Sequence, residues 1–291
     1  MLVWGMVNNK TISLTSLAML AFAGNSILCR LALKTTTIDA ASFTSIRLAS
    51  AGAMLWAILP FRGQGRHILG SWPSAVALFA YAAGFSFAYI NLKAGTGALL
   101  LFGSVQTSMI SFGLWRGERF NALQIVGFIS AIIGLIVLVF PGLSAPPIAS
   151  SALMIFAGMA WGIYSLRGRG AGDPIMMTAG NFIRTLPLAA ILSLAAWDQM
   201  QLDQTGVVLA IASGAITSGI GYAIWYSALP SLKATEAATV QLSVPVIAAI
   251  GGILLIGEPL SLRIVLASMA ILAGVTLVIY VKSPTNTKKV Q

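Results

Sequence analysis

Residues 232–260 read LKATEAATVQLSVPVIAAIGGILLIGEPL, a hydrophobic segment that ends at the turn Gly257-Glu258-Pro259 and is followed by a second one, Leu260 to Val281. A step back of 140 residues reaches LKAGTGALLLFGSVQTSMISFGLWRGERF at 92–120. Lys93, Ala94, Gly117, Glu118 and Gly134 there match Lys233, Ala234, Gly257, Glu258 and Gly274 without a gap. Coincidences among Ala, Leu, Ile and Gly carry little weight in apolar sequence. A Gly-Glu turn that closes an apolar segment at the same distance from a Lys-Ala start carries more, and it predicts an internal repeat.

Composition points the same way. The chain is 58% hydrophobic and only 8% charged, with a mean hydropathy of +0.91, whereas soluble domains carry about 25% charged residues. The 17 Lys and Arg give a net charge of +10, but they stand in ones and twos between apolar runs. No basic stripe or aromatic-basic interleaving suggests nucleic acid, so loops of a membrane protein account for them better. One cysteine, Cys29, and one histidine, His67, cannot assemble a disulfide framework, a zinc cluster or a Cys-His nucleophile. Phosphate-cradling and nucleophile-elbow motifs are missing from the sequence as well, and no cofactor is expected. A membrane transferase would ordinarily show paired acids, while the seven Asp and Glu here stand mostly alone. A channel for small polar solutes is a third alternative, which an inverted repeat disfavours.

Ten hydrophobic segments are expected to cross the membrane as helices, each near the ~20 residues that a hydrocarbon core requires. They are Ile12 to Leu33, Asp39 to Leu59, Trp72 to Asn91, Ala94 to Trp115, Phe120 to Phe140, Ala149 to Leu166, Pro174 to Trp197, Thr205 to Leu229, Ala234 to Ile256 and Leu260 to Val281. Basic residues concentrate on the side of the N-terminus (Lys10, Arg62, Arg66, Arg116, Arg119, Arg167, Arg169, Lys233, Lys282, Lys288, Lys289), against Lys34, Lys93, Arg263 and nearby Arg30 opposite. Both termini are therefore expected in the cytoplasm. The fold class predicted is an all-α integral membrane protein with two inverted five-helix repeats, 1–141 and 149–282, and a mobile tail at 283–291. An offset of five helices is odd, so the second repeat enters the membrane in the opposite sense, the plan of many secondary transporters.

The order of these features resembles the EamA type of the drug/metabolite transporter superfamily. It rests on Trp161-Gly162 in the sixth span, Arg47 and Arg184 in the second and seventh, Pro245 in the ninth and Gly-Glu after the fourth and ninth. Ala23-Gly24 and Val105-Gln106 depart from the pattern and put strict equivalence of the halves in doubt. GTGALLLFGSVQ, preceded by Tyr81 and Tyr89, is similar to the aromatic amino acid exporters of that family. The resemblance implies export of amino acids or similar metabolites across the inner membrane by a monomer surrounded by lipid.

Candidate substrate-binding residues also follow from side chains that a lipid-facing helix would not need. Tyr81, Trp161, Tyr164, Tyr222 and Trp225 offer aromatic walls suited to a partly apolar ligand. Asn25, Gln106, Gln241 and Ser243 lie inside their spans, where an unpaired amide is costly and must face protein or a wet cavity. Interhelical packing explains any one of them equally well. Tyr89 and Tyr226, near span ends, are expected in an interfacial belt. Arg47 and Arg184 are expected to bond carbonyls or cavity water and to anchor the bundle. Glu118 and Glu258 are expected at opposite membrane surfaces, and Glu236 is expected to end a span rather than to carry protons.

Overall fold

The computed structural model describes residues 9–62, 69–117, 119–142, 145–168, 172–232, 237 and 240–280. Among them the chain is helical, with no strand. The helices are α1 (Asn9–Thr35), α2 (Ala40–Ile58), α3 (Trp72–Tyr89), α4 (Ala94–Trp115), α5 (Ala122–Val139), α6 (Ile148–Gly168) and α7 (Pro174–Ala195). They continue with α8 (Gln204–Ser231), α9 (Ser243–Ile256) and α10 (Leu262–Tyr280). Eight of them are long and apolar enough to cross a membrane, and the chain is a multi-pass membrane protein. α3 and α9 fall outside that set, α3 because Trp, Tyr, Ser and Pro dilute its hydropathy and α9 because the described helix begins only at Ser243. Lys233, Ala234 and Glu236 lie outside the described residues, as do Glu118, Lys282 and the tail.

Helix starts follow local chemistry. Asp39, Asp173 and Asp203 accept hydrogen bonds from the first free N–H groups of α2, α7 and α8. Asn121 and Gln124 form a reciprocal capping box on α5. Gly257 ends α9 in the left-handed conformation, with φ of 68°, which a residue bearing Cβ adopts reluctantly. Inside α8 the stretch Ala212–Ile220 winds as a π-helix, which the sequence had not signalled.

Small residues let the helices approach closely. A Cβ added to Gly127 of α5 would lie 2.6 Å from the Gly274 carbonyl of α10, and one on Gly158 of α6 would lie 2.7 Å from the Leu101 carbonyl of α4. α3 packs on α6 and α7, α1 on α8 and α9, α2 on α7 and α8, α4 on α6 and α9, and α5 on α10. Large apolar side chains such as Leu123, Val126, Ile133 and Ile136 face outward from α5, as expected of a surface in contact with lipid.

The bundle has two distinct ends. At one, Ser71 donates its backbone N–H to Asn181 (3.0 Å), Arg184 donates to the Leu69 carbonyl, and Arg167 donates to Ser74 (3.2 Å). At the other, the α1–α2 and α7–α8 connections are tied by Gln201 N–H to Asp39 (3.0 Å) and Thr37 N–H to Asp203 (3.0 Å). The same end holds an ion pair, Arg30 to Glu258 at 3.0 Å.

Candidate functional site

A cavity lies among α1, α3, α4, α6 and α8. Phe22, Asn25 and Ser26 of α1 line it, with Tyr81 and Phe85 of α3, and Leu101 and Phe102 of α4. Trp161 of α6 and Thr217, Ser218 and Tyr222 of α8 complete the wall. Only ≈ 10 Å³ is open to the centre of a water molecule, room for about one water. The cavity as it stands is too small for a metabolite.

The apolar wall is a connected set of rings. Tyr81 stacks on Trp161 with centroids 5.1 Å apart, and Phe102 meets Trp161 edge-on at 5.3 Å. Phe22 touches Trp161, Tyr222 and Trp225 at 6.3, 5.6 and 6.1 Å. Such pairs contribute beyond their buried area, so the wall coheres through its own ring contacts.

One side of the cavity is polar. The Asn25 amide nitrogen donates to the Tyr81 hydroxyl at 3.3 Å, and its oxygen accepts from Ser213 at 2.6 Å and from Arg47 at 3.4 Å. Arg47, 2% exposed, also donates to the Ala82 carbonyl at 3.0 Å. Its guanidinium lies 4.8 Å from the Phe85 ring centroid and 5.7 Å from that of Tyr81. The node joins α1, α2, α3 and α8, and Ser213 and Thr217 reach it from the π-helical stretch. Irregular winding of this kind is frequent at functional sites. Ser26 Oγ, also in the wall, is buried without a hydrogen-bond partner among the described residues.

Of the residues expected to hold substrate, Asn25, Tyr81, Trp161 and Tyr222 meet in this cavity. Trp225 stands behind Phe22, and Tyr164 turns toward α7, its hydroxyl 3.4 Å from Thr178. Gln106 is buried outside the lining. Ser243 bonds back to the Val240 carbonyl at 2.7 Å, and Gln241 is half-buried beside it, both away from the cavity in this conformation. Arg184 bonds the Gly180 carbonyl at 3.1 Å as well as Leu69, and Asn181 joins it at the bundle end. Tyr89 departs from the expected belt: it is fully buried, and its hydroxyl donates to the Ala94 carbonyl at 3.1 Å. Tyr226 stacks on Tyr222 at 5.9 Å. Phe22 and Phe102 escaped notice because a phenylalanine in an apolar run carries no mark of its face, whereas Phe85 lies on one helical face with Tyr81 and Tyr89, at i, i+4 and i+8, a spacing open to sequence reading. Ser213, Thr217 and Ser218 lie in SGAITSGIG, a run of small residues whose composition signals close helix packing rather than a site.

Fold and site together define a polytopic membrane protein whose helices enclose an aromatic cavity with one polar wall. Residues 149–280 match the EamA-like transporter family. An uncharacterised protein of Pseudomonas aeruginosa is 54% identical over 275 residues, covering 94% of this chain and 96% of that one. An uncharacterised transporter of Archaeoglobus fulgidus is 26% identical over 286 residues, covering 93% and 98%. The threonine/homoserine exporter RhtA of Salmonella typhimurium is 27% identical over 173 residues, 58% of each chain. A solved crystal structure superposes with a TM-score of 0.65 at 18% identity, over 91% of this chain and 97% of that one, a likeness of fold. The chain belongs to the EamA-like transporter family of the drug/metabolite transporter superfamily.

Proposed function

We propose that the protein exports small amphiphilic metabolites, amino acids with aromatic ones among them, from the cytoplasm across the inner membrane. The aromatic cavity with its Asn25 node carries this reading, since rings suit an apolar side chain and the polar wall suits a charged end. The partial likeness to a threonine/homoserine exporter agrees with an amino acid substrate.

The architecture behind it is ten spans in two inverted halves, working as a monomer with both termini cytoplasmic. Packing supports the inversion: α3 lies on α6 as α8 lies on α1, and α4 on α6 as α9 on α1. Ser130 bonds the carbonyl of Ala270, its counterpart 140 residues on, at 3.1 Å, as residues astride a pseudo-two-fold axis would. Rocking of the halves about the cavity would expose it to each side in turn. No dedicated proton or sodium site is proposed, because the lining holds no acidic side chain among the described residues.

Trp161→Leu tests the site, keeping apolar bulk while removing the ring that stacks on Tyr81. In vesicles loaded with labelled phenylalanine or threonine, export should fall at least tenfold with the amount of protein in the membrane unchanged. Export at the parental rate would place the pathway elsewhere.

A further inference from the structure

Among the described residues, Arg47 is a buried cation that is given no anion. It forms no ion pair among the described residues, where Arg30 with Glu258 is the pair present. The Ala82 carbonyl and the Asn25 amide oxygen, at 3.0 and 3.4 Å, use two of the five N–H donors of a guanidinium. The rings of Phe85 and Tyr81 offer their faces to the rest. Buried charges are ordinarily paired, and an arginine at the centre of a membrane helix is expensive to insert. Carbonyl, amide and ring faces relieve that cost without cancelling the charge.

The position of this charge matters as much as its isolation. Three groups that hold Arg47, namely Asn25, Tyr81 and Phe85, themselves line the cavity, so the guanidinium sits one side chain behind the wall. No acidic side chain lines the wall among the described residues to offset it. We infer that Arg47 is the group that reads the substrate's carboxylate. When the cavity widens, withdrawal of the Tyr81 ring and the Asn25 amide uncovers donors that form a charge-assisted, two-pronged bond with a carboxylate. Carboxylate-bearing amphiphiles are accepted, zwitterionic or anionic. Organic cations of the same shape are rejected, because they bring positive charge against an uncompensated guanidinium in a low-dielectric site. The inference rests on the cavity being the transport site, and it adds which end of the substrate is selected and by which residue.

The test uses the full-length protein in proteoliposomes and reads inhibition of labelled phenylalanine and labelled threonine transport by unlabelled analogues. For the parent, phenylalanine and 3-phenylpropionate should compete at least tenfold better than phenylethylamine or phenylalaninamide. Threonine should likewise compete at least tenfold better than threoninamide. In Arg47→Gln this preference for the carboxylate should shrink at least tenfold, whereas Arg47→Lys, which keeps the charge, should retain part of it. If Arg47→Gln fails to reach the membrane, the parental analogue series and Arg47→Lys decide. Amines or amides that compete as well as the acids in the parent would overturn the inference. So would an undiminished preference in Arg47→Gln. Transport unaffected by Trp161→Leu would remove the cavity reading itself. A fall in Trp161→Leu with no change in preference in Arg47→Gln would leave that reading intact and remove only the role given to Arg47.

Discussion

Two arginines stand on consecutive helices, and the protein treats them differently. Arg30 of α1 is 12% exposed and Glu258 is 6% exposed. The Arg30 Nε donates to Glu258 at 3.0 Å, and its Nη1 donates to the Tyr89 and Ile90 carbonyls at 3.0 and 2.7 Å. The second carboxylate oxygen of Glu258 accepts the Ala94 N–H at 2.7 Å, at the start of α4. One electroneutral cluster thus ties together ends of α1, α3, α4 and α9. Among the described residues, Arg47 of α2 meets only dipoles and ring faces. A charge held by its counter-ion and by carbonyls besides ties helices together, and a charge left with dipoles and ring faces can still take an anion from outside.

Removing one member of the pair should produce the largest effect. Glu258→Gln strands the Arg30 charge and weakens the cap on α4, at a cost of about 3–5 kcal/mol for a buried pair broken from one side. The thermal midpoint of the purified protein in detergent should drop clearly, and adding Arg30→Gln should restore part of it, because the double variant leaves no orphan charge. A parental midpoint for Glu258→Gln would remove the distinction between the two arginines. Arg47→Gln should matter much less for stability. It gives up charge-assisted bonds of about 1.5–3 kcal/mol and is relieved of an insertion cost of about 2.5–3.5 kcal/mol, so its midpoint should stay near the parent's. A loss as large as that of Glu258→Gln would make Arg47 a second clamp.

The contrast also shows what the sequence could carry. Hydrophobic runs and their caps are local, so helix positions were legible, and polar or aromatic side chains inside spans singled out Asn25, Tyr81, Trp161 and Tyr222. Glu258 was expected at a membrane surface behind a glycine. It does stand at the bundle end, but buried, because its partners Arg30 and Ala94 lie 228 and 164 positions away, and such pairings leave no trace in local pattern. The π-helical stretch was hidden for a related reason. Gly214 of α8 lies against the Arg47 carbonyl and Ser50 of α2, a tertiary approach that composition allows but does not announce. Phe22 joins three rings of other helices, again a property of packing.

The smallest effect belongs to a carboxylate held by backbone N–H groups without a guanidinium. Asp39 accepts from Ala41 and Ser42 at 2.9 Å each, capping α2, and from Gln201 at 3.0 Å, joining the α7–α8 connection. Partial burial pushes its carboxyl up, but hydrogen bonds from Ser42, Gln201 and Ala41 outweigh that and leave it below the usual carboxylate range. A lowered folded value means that the ionised form is favoured by folding. The stability this contributes is complete above the ordinary carboxylate value of about 3.9 and disappears as pH falls through the lowered one. Asp39→Asn retains an oxygen to cap α2, yet an amide has only one acceptor oxygen, so the bond from Gln201 or the cap must weaken. Most of the group is solvent-screened, and the cost at pH 7 should be about 1 kcal/mol or less. Thermal midpoints of the variant and the parent should differ slightly at pH 7 and converge toward pH 3. A gap that stayed constant over that range would show that the charge on Asp39 contributes nothing and that its hydrogen bonds act alone.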